Sequence, residues 1–283
     1  MNSSLDSTAA LLGSSPLLEL RGLNHHYGGG LLASPRRQIL KDIDLTLYAG
    51  EIVALVGESG SGKSTLLKVL ARLTQPSSGR IFWKGQDLLT LESSRASLSY
   101  RGQVQMVFQD PFASLNPFHT IAYTLKRPLL RQGLATTPAA LEARSLELLE
   151  AVGLAPAKEY LHKHPHQLSG GQRQRVAIAR ALTVAPNLVL ADEPVSMLDV
   201  SIRIGVLNLL DDLRRSRGIS VLFVTHDLAS ARYLADRIVV LYRGEIVEQG
   251  PSEEILRAPR HAYTKLLLTA AHHIERPRPQ RGS

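Results

Sequence analysis

Apolar residues come in short, dense runs along this chain. Ile52–Val56, Val104–Phe108, Leu188–Ala191 and Ser220–Thr225 are apolar at nearly every position. Runs of this length, bounded by turn residues, predict strands buried on both faces. Ile39–Leu47 instead places Ile43, Leu45 and Leu47 on alternate positions, which predicts a strand covered on one face. Leu17–Leu23 opens a first strand and His25–Gly30 reads as a turn. Arg80–Lys84 is a short strand, and Ile238–Leu241 and Glu245–Val247 flank a hairpin turn at Arg243–Gly244.

Helical periodicity lies between these runs. Leu66, Val69, Leu70 and Leu73 share one face, and Gln75–Gly79 ends that helix. Pro111, Pro117 and Pro128 break the pattern, and the composition from about Ala113 to Pro165 turns helical, with Leu141, Leu148, Leu149 and Val152 on one side of Ala139–Val152. This stretch reads as a helical insertion in an α/β body. Ser169 caps a helix to about Val184 that is apolar nearly all round and so belongs inside. The helix near Val200–Arg215 carries Val206, Leu209, Leu210 and Leu213 as its inner stripe.

The chain has 283 residues, 44% of them apolar, enough for a sizeable core. It divides into a flexible segment 1–16, a main domain over 17–250 and a C-terminal extension over 251–283, whose Pro-Arg tail after Ile274 is expected to be disordered. There is no cysteine, which excludes disulfides and thiolate-held clusters. No apolar run approaches the ~20 residues that span a bilayer, and Met1–Leu20 lacks the layout of a signal peptide. The net charge of +8 is spread along the chain without an aromatic-basic platform. That argues against nucleic acid and for a soluble protein lying near lipid headgroups.

The strand at Ile52–Val56 leads into Gly57-Glu58-Ser59-Gly60-Ser61-Gly62-Lys63-Ser64-Thr65, and a helix follows. Strand, glycine loop and helix make this the phosphate-binding P-loop pattern. Its backbone N–H groups form an anion nest, reinforced by the free N–H groups of the helix. Lys63 is expected at the β- and γ-phosphates of ATP and the Ser64 hydroxyl on Mg²⁺. Far along the chain, another buried run ends in Asp192-Glu193. Open α/β sheets bind ligands at such carboxyl ends, so Asp192 is expected to hold Mg²⁺ and Glu193 to polarise an attacking water. Tyr27 is open between stacking on a purine and ordinary half-burial. Together these features describe a P-loop NTPase.

With Leu168-Ser169-Gly170-Gly171-Gln172 added, residues 17–270 resemble the ATP-binding subunit of ABC transporters, motif after motif in order. The resemblance implies an α/β ABC ATPase core with an antiparallel β subdomain and the inserted helical subdomain. It implies that Ser169, Gly170, Gly171 and Gln172 close on ATP held by a second subunit, which fits the chemistry of another capped, glycine-led helix N-terminus. Tyr27 matches the adenine-stacking aromatic. Gln109 matches the glutamine that senses Mg²⁺ and the attacking water and couples to the membrane subunit. Ser196-Met197-Leu198-Asp199 looks like the loop that meets the partner, and His226 matches the histidine that contacts the γ-phosphate.

Phe108-Gln109-Asp110-Pro111, Ala113–Pro117, Asp199–Ile202 and His261-Ala262-Tyr263-Thr264-Lys265-Leu266-Leu267 look like oligopeptide, dipeptide and nickel importers. The implied partners are two transmembrane permeases, a second homologous ATPase or another copy of the chain, and indirectly an extracytoplasmic binding protein. The implied place is the cytoplasmic face of the cell membrane. Lacking cysteine, the chain resembles the cluster-free one of two ATPase subunits. Peptide is the expected cargo, with nickel or a metal chelate as the alternative. A soluble ABC ATPase working on nucleic acid is a further alternative.

Overall fold

The computed structural model describes residues 15–28, 37–92 and 96–274, with side chains to residue 270. Its strands are β1 (Pro16–Tyr27), β2 (Arg37–Tyr48), β3 (Ile52–Val56), β4 (Ser78–Trp83), β5 (Gln86–Asp87), β6 (Val104–Val107), β7 (Leu188–Asp192), β8 (Ser220–Thr225), β9 (Arg237–Tyr242) and β10 (Glu245–Pro251). The longer helices are α1 (Lys63–Leu70), α2 (Ile121–Arg131), α3 (Pro138–Ala151), α4 (Gly170–Leu182), α5 (Val200–Arg217) and α6 (Ala262–Ile274).

Two sheets divide the strands. The order β10-β9-β3-β8-β7-β6 makes the main sheet, parallel from β9 to β6. Its central strands are buried on both faces, as their unbroken apolar runs require. The two-residue period assigns neighbours to opposite cores: Ile52, Ala54 and Val56 face one, Val53 and Leu55 the other. The first core is closed by α2, α3, α4 and α5, and the second by α1 and the antiparallel sheet β2-β1-β4-β5. β10 returns along β9 through Arg243 and Gly244, both at positive φ, the geometry of a two-residue hairpin turn.

Four local expectations are corrected. His25, His26 and Tyr27 end strand β1 instead of forming a turn; Gly29 and Gly30 lie outside the described residues. Leu73 is off the inner face of α1 and 60% exposed, because the helix stops at Leu70. Arg72 takes φ +55, and the N–H groups of Leu73 and Arg72 reach back to Lys68 and Val69 at 2.9 and 3.0 Å. That is a Schellman stop with Arg where glycine is usual, so it is invisible to a search for glycine. Gln75–Gly79 therefore does not end the helix, and Ser78 and Gly79 already belong to β4. Pro128, expected to break the pattern, sits inside α2. The expectation of a flexible segment 1–16 lies outside the described residues through Ser14, as does that of a disordered tail after Ile274.

Where the two layers meet, Arg237 and Glu51 form an ion pair at 2.8 Å with both side chains essentially sealed from water. Glu51 also accepts from the Tyr48 N–H at 2.9 Å, and Arg237 donates to the Thr46 carbonyl. Burial pushes the Glu51 carboxyl above its ordinary range, against the pull of Arg237 and the Tyr48 amide. The pair ties the starts of β3 and β9 to the end of β2, beneath the strand that feeds the glycine loop.

Candidate active site

The loop after β3 is shaped by contacts that only glycine permits. A Cβ on Gly57 would lie 2.1 Å from the Leu241 carbonyl oxygen of β9. The loop is thus pressed against the hairpin, and the Gly244 N–H donates to Ser61 O at 3.0 Å. Lys63 is buried, and its Nζ donates to Gly57 O and Glu58 O, both at 2.7 Å. Burial lowers its pKa, opposed by the charges of Glu193, Asp192 and Glu58. The ammonium is held by the loop's own carbonyls.

One residue further into α1, the Ser64 hydroxyl donates to Asp192 Oδ1 at 3.0 Å. Asp192 closes β7, where burial raises its carboxyl pKa against the Ser64 hydrogen bond. Glu193 follows at φ +44, a left-handed conformation costing a non-glycine residue about 1 kcal/mol or more. Its N–H donates to Val224 O at 3.1 Å, and its carbonyl accepts from the Ser196 N–H and hydroxyl at 3.3 and 3.1 Å. These bonds hold the turn that swings its carboxylate away from the strand line. Gln109 Nε2 donates to Glu193 Oε2 at 3.0 Å, and His226 Nδ1 lies 3.3 Å from the same oxygen. Residues from the ends of β6, β7 and β8 thus converge on one atom.

A cavity of ≈ 350 Å³ opens at this point, lined by Gly60, Gly62, Lys63, Ser64, Gln109 and Glu193 among others. Ser59 and Thr65 also line it, together with Arg37 and Ile39, which the sequence reading did not single out. Arg37 pairs with Tyr27 across β1 and β2, which sets Tyr27 near the rim, 44% exposed and edge-on to His25 at 4.6 Å. No sequence signal marked Arg37: its pairing follows from a register that the expected turn at His25–Gly30 hid.

Ser169, Gly170, Gly171 and Gln172 do not line this cavity. Ser169 caps α4 with a reciprocal box: its hydroxyl accepts from Gln172 N–H at 3.3 Å and its own N–H donates to Gln172 Oε1 at 3.0 Å. Gly171 is packed on α5, since a Cβ there would lie 2.4 Å from Ile202 Cγ2. The end of α4 is therefore set by Leu198 and Ile202, in and just after the loop 196–199.

The sequence profile described as "ABC transporter" matches residues 40–196, more than half of the chain. The chain belongs to the ABC transporter family. A second profile, "Oligopeptide/dipeptide transporter, C-terminal region", matches residues 247–283. A Brucella ovis protein whose name assigns it, provisionally, to peptide import as the ATP-binding protein is 46% identical over 90% of this chain and 78% of its own length. The oligopeptide transport ATP-binding protein OppF of Bacillus subtilis is 43% identical over 90% and 82%. Among solved structures, the dimeric post-hydrolysis cassette MJ0796 bound to ADP and Pi superposes with a TM-score of 0.71 at 31% identity, covering 83% of this chain and 98% of that one. The fold is thus that of an ABC ATPase. Among the described residues no helix is long and apolar enough to cross a membrane.

Proposed function

We propose that this chain is one of two ATPase subunits that close on ATP and drive a peptide importer from the cytoplasmic face of a membrane. One observation carries the dimeric mechanism: the end of α4 lies outside the cavity of the glycine loop. A single ATP is then gripped by the loop of one subunit and the α4 end of the other, be it a copy or a homologue. The C-terminal match over residues 247–283 and the names of the relatives support peptide as the cargo.

The geometry supports the following roles. The amides of Gly57-Glu58-Ser59-Gly60-Ser61-Gly62 and the start of α1 cradle the phosphates. Lys63 leaves the carbonyls of Gly57 and Glu58 for the β- and γ-phosphates, and Tyr27 stacks on adenine. Ser64 and Asp192 present two hard oxygens 3.0 Å apart, with Gln109 nearby, a donor set that fits Mg²⁺. Bound with ATP, that ion neutralises charge on the phosphoryl oxygens. Glu193 takes a proton from the attacking water at Oε2, the atom that Gln109 and His226 already address. The partner's α4 end completes the stabilisation of the γ-phosphoryl.

Coupling to the permeases has a surface to act on. A groove of ≈ 600 Å³ lies between the helix before β6 and α2, lined by Leu98, Arg101, Gln105, Arg127, Leu130 and Arg131. Its apolar floor and basic rim suit a short amphipathic helix from a permease, and β6 leads from it to Gln109. Co-purification from membranes tests the whole reading. Two permeases and a second cassette, with ATP-dependent peptide uptake when all are reconstituted, support it. Recovery with nucleic acid and no permease overturns it, and uptake of nickel alone would replace the cargo.

A further inference from the structure

The C-terminal segment touches the glycine loop directly. Tyr263, in the first turn of α6, is 9% exposed, and its hydroxyl accepts a hydrogen bond from the Glu58 N–H at 2.8 Å. The phenol ring stacks on Tyr242 with centroids 4.0 Å apart and planes at 24°. Tyr242 follows Leu241, whose carbonyl already presses on Gly57. The approach to Tyr263 is pinned as well. Glu248 of β10 accepts from the N–H groups of Arg260 and His261 at 2.7 and 3.0 Å, and His261 Nδ1 accepts from the Tyr263 N–H at 3.1 Å. The rising limb of the loop is thus held by the hairpin on one side and by α6 on the other.

We propose that Tyr263 is a positioning residue for nucleotide binding: its hydroxyl fixes the Glu58 amide, so that docking of α6 and filling of the phosphate loop favour one another. This rests on the reading of loop 57–65 as the ATP site. A nest binds an anion well only when its successive amides are set beforehand, and Glu58 is where the loop leaves β3. Without an acceptor on the ring, the Gly57–Glu58 peptide is held only on its carbonyl side, by Lys63, and loses that hold when Lys63 turns to phosphate, so the loop samples other shapes. The link is reciprocal: whatever docked α6 adds to ATP affinity, ATP adds to the docking of α6.

Tyr263→Phe isolates the hydroxyl, because it keeps the ring, its volume and the stack on Tyr242. The loss of one such hydrogen bond predicts a rise of about three- to tenfold in the Kd and KM for ATP. The kcat at saturating ATP and the melting temperature without nucleotide should stay close to those of the parent. ATP should slow amide hydrogen exchange in residues 262–270 of the parent chain, and less so in the variant. Unchanged ATP affinity in Tyr263→Phe, with Lys63→Ala binding weakened in parallel, overturns the inference and leaves the ATP site intact. Equal slowing of exchange in parent and variant also overturns it. Unchanged binding in both variants would instead remove the site itself.

Discussion

Ser64 donates its hydroxyl to Asp192 at 3.0 Å across 128 residues of sequence. The contact joins the start of α1, the helix that follows β3, to the end of β7, and β8 separates β3 from β7 in the sheet. The loop and Glu193, the residue after Asp192, face one cavity, so substitutions at each part should have separable effects.

Glu193 lies between Gln109 and His226, and its removal should cost chemistry while sparing binding. Glu193→Gln is expected to bind ATP with near-parental affinity, to accumulate as a closed dimer and to lose about 10²-fold or more in turnover. Equilibrium binding, size-exclusion with ATP and phosphate release measure the three effects. Steady hydrolysis at the parental rate would remove Glu193 as the base.

Lys63 is the cation inside the loop. Lys63→Ala should weaken ATP binding by about ten- to a hundredfold, the scale of losing charge-assisted hydrogen bonds to phosphate. Titration with a fluorescent ATP analogue checks it.

Gly171 packs where no Cβ fits, so Gly171→Ala must push Ile202 or tilt the end of α4. The expected cost is about 1–3 kcal/mol in stability, the range for overpacking, together with lower ATP-dependent dimerisation. Ile202→Ala in the same chain should restore part of both. A double-mutant cycle by urea denaturation reads the coupling.

The Arg237–Glu51 pair is sealed between the sheets, and breaking it leaves a buried carboxyl without its partner. Arg237→Met is expected to lose about 3–5 kcal/mol of stability. Denaturant unfolding, with the m-value as control, measures it.

Asp227 gives a pH dependence with a definite sign. Burial would raise its pKa, but bonds from Ser230 and the Ala229 N–H and the charge of Arg203 outweigh that and hold it below the ordinary value. A depressed carboxylate stabilises the fold above its unfolded pKa of about 4, and that share fades as pH falls through the folded value. The gap in melting temperature between the parent and Asp227→Asn should therefore be constant from neutrality to about pH 5 and shrink below about pH 4.

Much of this was legible because it is local. Ile52–Val56, Leu188–Asp192 and Ser220–Thr225 declare buried parallel strands by composition, and the loop 57–65 and the Ser169 cap are set within a few residues. Other features carry no sequence pattern of their own, or depend on a partner far along the chain. The Schellman stop at Arg72 hides behind a non-glycine residue, and β5 is a two-residue bridge with no pattern of its own. Arg37 lines the cavity from the start of β2, at a position fixed by a strand register that the sequence does not display. Tyr263 was part of a quoted string, but its role needed the 205-residue contact with Glu58 to be seen.

The central claim is that a complete catalytic site needs two subunits, and dilution tests it most directly. ATPase activity per subunit should fall toward zero as the protein is diluted through the range where sedimentation shows the dimer giving way to monomer. Activity per subunit that stays constant in solutions shown to be monomeric would contradict the account.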